Sequence, residues 1–588
     1  MNETGSSVLR VEESGAKYLV SAESALMRNF ESLATASAGL ERLRSLVLSL
    51  AVRGKLVSQD SRDESAAALL SHTSDEKRRL FSNGTIRREF RRGNPELDAH
   101  GLPSGWRLAT LDDLCTVVTD GDHLPPPKVA YGIPFLVIGD VRSGRINLSS
   151  AERFVSPEYF SALDWSRRPK AGDVLYTTVG SFGIPVAVTR DEDFCFQRHI
   201  ALLRPGVQLL QPYLHVALKS PQVFDQARVG ATGIAQKTVS LAVLRSFSIP
   251  LPPLAEQHRI VARVEELMKL CDALEQSGRL ADEQHARLTS TLFDALAASE
   301  SAHALAENWQ RVAEHFDLLL DRPEAVDALE EALLQLAVRG VLVPQERTDE
   351  SGAKLLNRIQ RSRAAKRKLV TPNYGAGAIP DDRLPHSWTW ASIDEISADG
   401  ARAITDGPFG ANLKTEHYID RPGFRVVRLQ NIGHGDFRDK HRAYIDEARF
   451  NSLAKHQICP GDLVVAGLID SSIRCCAIPS DIGPAIVKAD CYRLAVHPLV
   501  STGYVLHYLN SRIAHAFTAV HHHGLTLTRI GLGNFRSLLV PLPPLAEQHR
   551  IVARVEELRR LCAQLRERLT DARRMQSQLA DALVAEIV

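Results

Sequence analysis

A chain of 588 residues, 44% hydrophobic and 24% charged, exceeds one hydrophobic core and reads as a folded protein of several domains. A formal net charge of +1 carries no information about nucleic acid, and no apolar run approaches the ~20 residues that span a bilayer. Met1 to Gly5 lacks the charged and apolar regions of a secretory signal, so a cytoplasmic protein without membrane partners is expected.

In chain order, an N-terminal helical region (1–57) carries an apolar seam over 22–53, Leu26, Phe30, Leu33, Leu40, Leu43, Val47 and Leu50, and ends at Gly54. A basic linker (58–100) with Arg87 and Arg88 precedes a globular block (101–250) that opens on Leu102-Pro-Ser-Gly-Trp106. Its short β-rich runs, such as Ile133 to Ile138 and Val174 to Val179, alternate with Gly, Pro and Asp turns. A helical pair follows (251–343). Its first helix has a seam at Val264, Leu267, Cys271, Leu274, Ala281, Leu288 and Leu292, and the second stops at Gly340. A second basic linker (344–382) holds Lys366, Arg367 and Lys368. A second block (383–541) opens on Leu384-Pro-His-Ser-Trp388, with runs at Gly423 to Leu429 and Ala485 to Ala495. A C-terminal helix (542–588) has its seam at Val555, Leu558, Cys562, Leu565, Leu569, Ala572, Leu579 and Leu583.

The chain is one unit written twice. Pro250 to Leu267 recurs letter for letter as Pro541 to Leu558, and Leu50-Ala-Val-Arg-Gly54 recurs as Leu336 to Gly340, at offsets of 291 and 286. Both globular blocks carry Thr-Asp-Gly (119–121, 405–407) and a Gly-Asp before an apolar strand (172–173, 461–462), but otherwise diverge. The expected fold is α+β: two mixed α/β domains separated by two antiparallel long-helix (coiled-coil) pairs, pseudo-two-fold and circularly arranged, with the first helix packing on the last.

Catalytic signatures are missing. There is no G-x-x-x-x-G-K-[ST] loop, and Asn94-Pro95-Glu96 lacks the second proline and the aromatic of an amino-methyltransferase tetrad. The eight cysteines form no C-x-x-C pair and read as small reduced hydrophobes. His521, His522 and His523 are consecutive and converge poorly on one ion, which leaves a DNA-facing or an ordinary polar loop; no metal site is expected. Gly531-Leu-Gly533 reads as a turn.

The Pro-Leu-Pro-Pro-Leu-Ala-Glu-Gln-His-Arg-Ile-Val runs at 250–261 and 541–552, the two Leu-Ala-Val-Arg-Gly elements and the helix–block–helix-pair–block–helix order resemble the specificity subunits (HsdS) of Type I restriction–modification systems over essentially the whole chain. The resemblance implies two target-recognition domains, each reading one half of a bipartite asymmetric site in double-stranded DNA. It also implies helices that set the spacing and dock two methyltransferase subunits, directing adenine methylation and, with a restriction/translocase subunit, cleavage. The chain itself would be non-catalytic and cofactor-free, with S-adenosylmethionine and ATP on partner subunits.

Base reading favours Arg or Lys on guanine, Asn or Gln on adenine and Ser or Thr on either. Candidates are Arg428, Gln430 and Asn431, the aligned Asp140, and Thr177, Thr178, Ser181, Gln197, Arg198, His199, Gln236 and Lys237, with the basic and histidine residues above. Partner docking is expected at repeated side chains taken to be exposed: Glu256, Gln257, His258 and Arg259, and Glu547, Gln548, His549 and Arg550.

Overall fold

A computed structural model describes residues 33–34, 36, 38–86, 101–123, 126–233, 236–363, 384–400, 402–469, 473–519 and 528–587. It is a mixture of helix and small sheets, and it divides into two compact units, residues 1–280 with 573–588, and residues 281–572.

In the first unit, helix Gly39–Val52 buries Leu43, Leu46, Val47 and Leu50 in one cluster with Ile260, Val264, Leu267 and Cys271 of the long helix Leu254–Ala297. Ala580 and Ile587, from the end of the last helix (Leu545–Ile587), belong to that cluster. Arg42 pairs with Asp581 at 2.6 Å, so helix Gly39–Val52 meets the end of the last helix. The second unit repeats the arrangement with other segments. Helix Pro323–Val338 buries Val326, Leu329, Leu333 and Leu336 in one cluster with Phe293, Leu296 and Cys562, against which Leu558, Leu565 and Leu569 also pack. Arg566 bonds Asp327 and Glu330 across that contact.

The long-helix seams follow the expected positions only in part. Leu288 and Leu579 are 46% and 58% exposed. The buried stripe resumes one residue later, at Thr289, Phe293 and Leu296, and at Ala580 and Ile587. A straight helix drifts against a seven-residue repeat, so a seam cannot hold one register across the exposed middle turns. The expected linkers also begin as helices, Ala66–Ser82 and Gly352–Ser362, each burying a face (Leu69; Leu355 and Ile359). The helical stretch that stops at Gly340 consists of Ala302–Glu314, Phe316–Leu319 and Pro323–Val338, with Pro323 in a first turn where it costs no hydrogen bond.

Each globular block hangs from a two-stranded antiparallel ribbon that ties its start to its end: Arg107–Thr110 with Ser248–Leu251, and Thr389–Ser392 with Leu539–Leu542. The first block holds an antiparallel sheet ordered Cys115–Asp120, Ile200–Pro205, Val174–Thr177, Pro185–Ala187, beside a small sheet in which Ile133–Leu136 runs parallel to Cys195–Phe196. The second block has the same order, Ile404–Asp406, Cys491–Leu494, Leu463–Ala466, Cys475–Ala477, and the same parallel pair, Phe424–Val427 with Ala485–Val487. The repeated Gly-Asp supplies a buried ion pair within each sheet, Asp173–Arg204 at 2.8 Å and Asp462–Arg493 at 2.7 Å.

The repeated motifs converge on one buried clasp per unit. Gly54 and Gly340 take φ of +66° and +74°, and a Cβ on either would press on Pro103 and Trp106, or on Pro385 and Trp388. In the first unit Trp106 Nε1 donates to Glu256 at 2.9 Å and Gln59 Nε2 donates to its other oxygen at 3.0 Å. Gln345 donates likewise to Glu547, while the Trp388 N–H faces that carboxylate outside hydrogen-bond geometry. Burial raises both carboxyl pKa values, against the hydrogen bonds that hold them. The next residue fixes the helix start. Gln257 accepts from Leu210 N (2.9 Å) and donates to Pro252 O (3.1 Å); Gln548 accepts from Ser501 N (2.8 Å) and donates to Pro543 O (2.9 Å). Arg259 and Arg550 bind Asp63 and Asp349, each at 2.7 Å.

This corrects the docking expectation. Glu256, Gln257, Glu547 and Gln548 are buried in the chain's own packing, and both arginines are held by internal carboxylates, so only His258 and His549 of the eight are exposed. The letter-for-letter repetition of Glu and Gln has an internal cause: a buried carboxylate and amide tolerate few substitutes.

Gln257→Ala or Gln548→Ala leaves the backbone N–H of half-buried Leu210 or Ser501 without its partner, and urea unfolding is expected to show about 1–3 kcal/mol lost in either variant. A second expectation concerns pH. His507 is buried with neither ring nitrogen bonded among the described residues, and burial, then Arg559, lowers its pKa to about 4. The folded state therefore favours the neutral ring, and stability present above the ordinary value of 6.5 declines as pH falls toward 4. The matching position holds Val216, since Tyr213 and Tyr504 bond the equivalent carbonyls of Pro250 and Pro541. His507→Val should narrow the gap between urea midpoints at neutral and mildly acidic pH; an unchanged gap refutes the assignment.

Candidate nucleic-acid interface

In the first block, strand Val174–Thr177 ends where three loops are tied by backbone bonds. Thr178 N donates to His199 O (2.9 Å), Val239 N to Thr178 O (2.8 Å) and Gly180 N to Lys237 O (3.0 Å). Ser181, Arg198, His199, Gln236 and Lys237 are thereby gathered at one end of the sheet, His199 and the adjoining Gln197 being half-buried and the others exposed. Gln197 N joins the cluster to the neighbouring sheet through Leu136 O (3.1 Å). Burial, then the Arg198 charge, lowers the His199 pKa, favouring a neutral ring that both donates and accepts.

Thr177 and Thr178 do not belong on the surface. Both are buried, and Thr177 Oγ1 accepts from Ile184 N at 3.0 Å, so they brace the loops. Asp140 and Asn431 are likewise internal. Asp140 accepts from Val137 N (2.8 Å) and Ser150 Oγ (3.0 Å). Asn431 accepts from Arg428 N (3.0 Å) and donates to Arg438 O (2.9 Å) and Lys440 O (2.8 Å). Aspartate and asparagine thus perform one capping task at equivalent places, and their difference is not a difference in base reading. Gln430 is exposed and Arg428 half-buried. Arg87, Arg88, Lys366, Arg367, Lys368, His521, His522 and His523 lie outside the described residues.

The second block repeats the loop ties with different side chains. Gly467 N donates to Asp490 O (2.7 Å) and Ile530 N to Gly467 O (3.0 Å), the counterparts of the Thr178–His199 and Val239–Thr178 bonds. This places Lys488 and Arg529 where the first block has Gln197 and Thr238. Arg529 pairs with Asp490 at 2.9 Å and lies 4.8 Å from the Phe409 ring. Neither cation was singled out from sequence, although the 291-residue offset of the scaffold, carried through the blocks, leads to both. Among the described residues no group of His, Cys, Asp and Glu is arranged to hold a metal, and no helix is long and apolar enough to cross a membrane.

The two end-of-sheet loop clusters are alike in backbone and unlike in side chains. Residues 103–282 match the family model of the Type I restriction modification DNA specificity domain. The chain is 30% identical over 585 residues to the Type I restriction enzyme EcoAI specificity subunit of Escherichia coli, covering 93% of each. It is 28% identical over 575 residues to the EcoEI specificity subunit of the same species, again covering 93% of each. A crystal structure of the HsdS subunit from Thermoanaerobacter tengcongensis aligns at 17% identity over 83% of this chain and 98% of that one, with a TM-score of 0.38. Near full-length coverage at 30% identity settles kinship: the chain belongs to the Type I restriction enzyme specificity subunits.

Proposed function

We propose that this specificity subunit reads a bipartite, asymmetric DNA site, one half with residues 101–250 and the other with 383–541, and that the helical regions set the spacing between halves. The carrying observation is the contrast within the chain. The Glu-Gln clasp and ribbon recur in both units, whereas the loops at the ends of the sheets present Gln197, Arg198 and His199 in one block and Lys488, Asp490 and Arg529 in the other. A constant frame with variable readers suits two unlike half-sites, and joined half-sites gain affinity because the second contact is intramolecular.

Two methyltransferase subunits dock on the repeated helices, with a face revised from the buried Glu-Gln pair. Ala255, His258, Ala262, Glu265 and Glu266 are exposed along one side of the first long helix, and Ala546, His549, Ala553, Glu556 and Glu557 repeat them on the last. Intramolecular packing does not demand identity at these solvent-facing positions; two copies of one partner do. Adenine methylation, and cleavage with a restriction subunit, then reside in the partners, which hold S-adenosylmethionine and ATP.

Sequencing of methylated bases in host DNA with and without the chain tests the reading: a split motif should vanish with it. Replacing residues 101–250 by another such block should alter one half of that motif, and alteration of both halves overturns the modular assignment. For docking, His258→Asp with Glu265→Lys should leave one methyltransferase subunit per complex in native mass spectrometry. Adding His549→Asp and Glu556→Lys should leave none; undiminished stoichiometry refutes this face.

A further inference from the structure

The second recognition block contains a cationic group that the first lacks. Arg425, in strand Phe424–Val427, is only 4% exposed, and its Nη1 has no hydrogen-bond partner among the described residues. Its Nη2 binds Asp439 at 3.0 Å, but that carboxylate is shared with Arg442. Just past the strand, Arg428 is half-buried, its Nε without a hydrogen-bond partner among the described residues and its Nη2 donating to His441 O. Lys488 arrives from the neighbouring parallel strand, where Lys488 N donates to Val427 O at 2.8 Å. Both cations lie over one ring, Arg428 at 6.0 Å and Lys488 at 5.6 Å from the centre of Tyr418. Neither has a carboxylate within ion-pair distance among the described residues.

Like charges gathered over a half-buried ring repel, and a largely desolvated guanidinium behind them adds to the local positive potential. Burial, opposed by Asp439, and the neighbouring Arg442 and Arg428 together lower the Arg425 pKa. Such a group is relieved by an anion. In the first block, strand pairing puts Pro134, Val137 and Gln197 at the places of Arg425, Arg428 and Lys488, so no charge accumulates there.

We propose that Arg428 and Lys488, backed by Arg425 and seated on Tyr418, form a site for a backbone phosphate of the DNA bound by the second block. Arg428 is thus a sequence-independent anchor and not a base reader, and the two blocks divide the work unequally: the second carries more of the electrostatic affinity. The inference rests on the DNA-reading function proposed above.

The test uses the chain assembled with its methyltransferase subunits, on two duplexes, one carrying the mapped methylation motif and one of random sequence. Salt dependence separates the roles, because each cation–phosphate contact contributes about 1 to the slope of log affinity against log salt. Arg428→Ala should reduce that slope by about 1, and Arg428→Ala with Lys488→Ala by about 2, on both duplexes alike, while Lys488→Arg keeps it. An unchanged slope overturns the phosphate site. A loss confined to the motif duplex overturns it too, and returns Arg428 to base reading. If the intact complex binds neither duplex, the DNA-reading function fails, and this inference with it.

Discussion

A carboxylate taken out of water and held by an indole or an amide is the constraint on which each unit depends. Glu256 and Glu547 stand at the point where four sequence motifs meet: the helix-stopping glycine, the Trp that fills the space beside it, the segment that follows the glycine, and the proline-led long helix. A buried carboxylate without partners is costly, so each motif must be present for the others to be tolerable. The adjacent glutamine binds the recognition block to the same turn of helix. Orientation of the block is therefore set by short, directional bonds and not by apolar contact alone, which would permit sliding.

The arrangement separates what must be constant from what can change. Each block enters and leaves through one ribbon, and both strands of that ribbon meet the clasp at the same end, Arg107 beside Leu251 and Thr389 beside Leu542. Side chains at the far loops can be exchanged without touching the hydrogen bonds that seat the block. The braces beneath those loops follow the same logic: Asp140 in one block and Asn431 in the other cap the same turn, although the surfaces they support differ.

Much of this organisation is legible in sequence, because duplication marks the motifs that packing holds fixed. Helix stops at Gly54 and Gly340 and the Trp motifs beside them follow from repeats and from turn chemistry. Burial of the Glu-Gln pair does not, since charged residues at a helix start are ordinarily solvent-facing and only the tertiary position of Trp106 and Gln59 places Glu256 inside. The seam slip at Leu288 and Leu579 is similarly invisible to a periodic pattern, which assumes one register throughout. Lys488 and Arg529 lie in divergent sequence, where pairing of strands, not likeness of letters, establishes equivalence.

The bond between Arg42 and Asp581 has a consequence for how the protein is made. A ribosome delivers helix Gly39–Val52 well before Ala580 and Ile587, which complete its burial, and everything between is synthesised in the interval. The middle unit draws on a contiguous stretch of chain and has all its parts earlier. During translation one apolar flank of helix Gly39–Val52 therefore waits for Ala580 and Ile587, more than five hundred residues downstream.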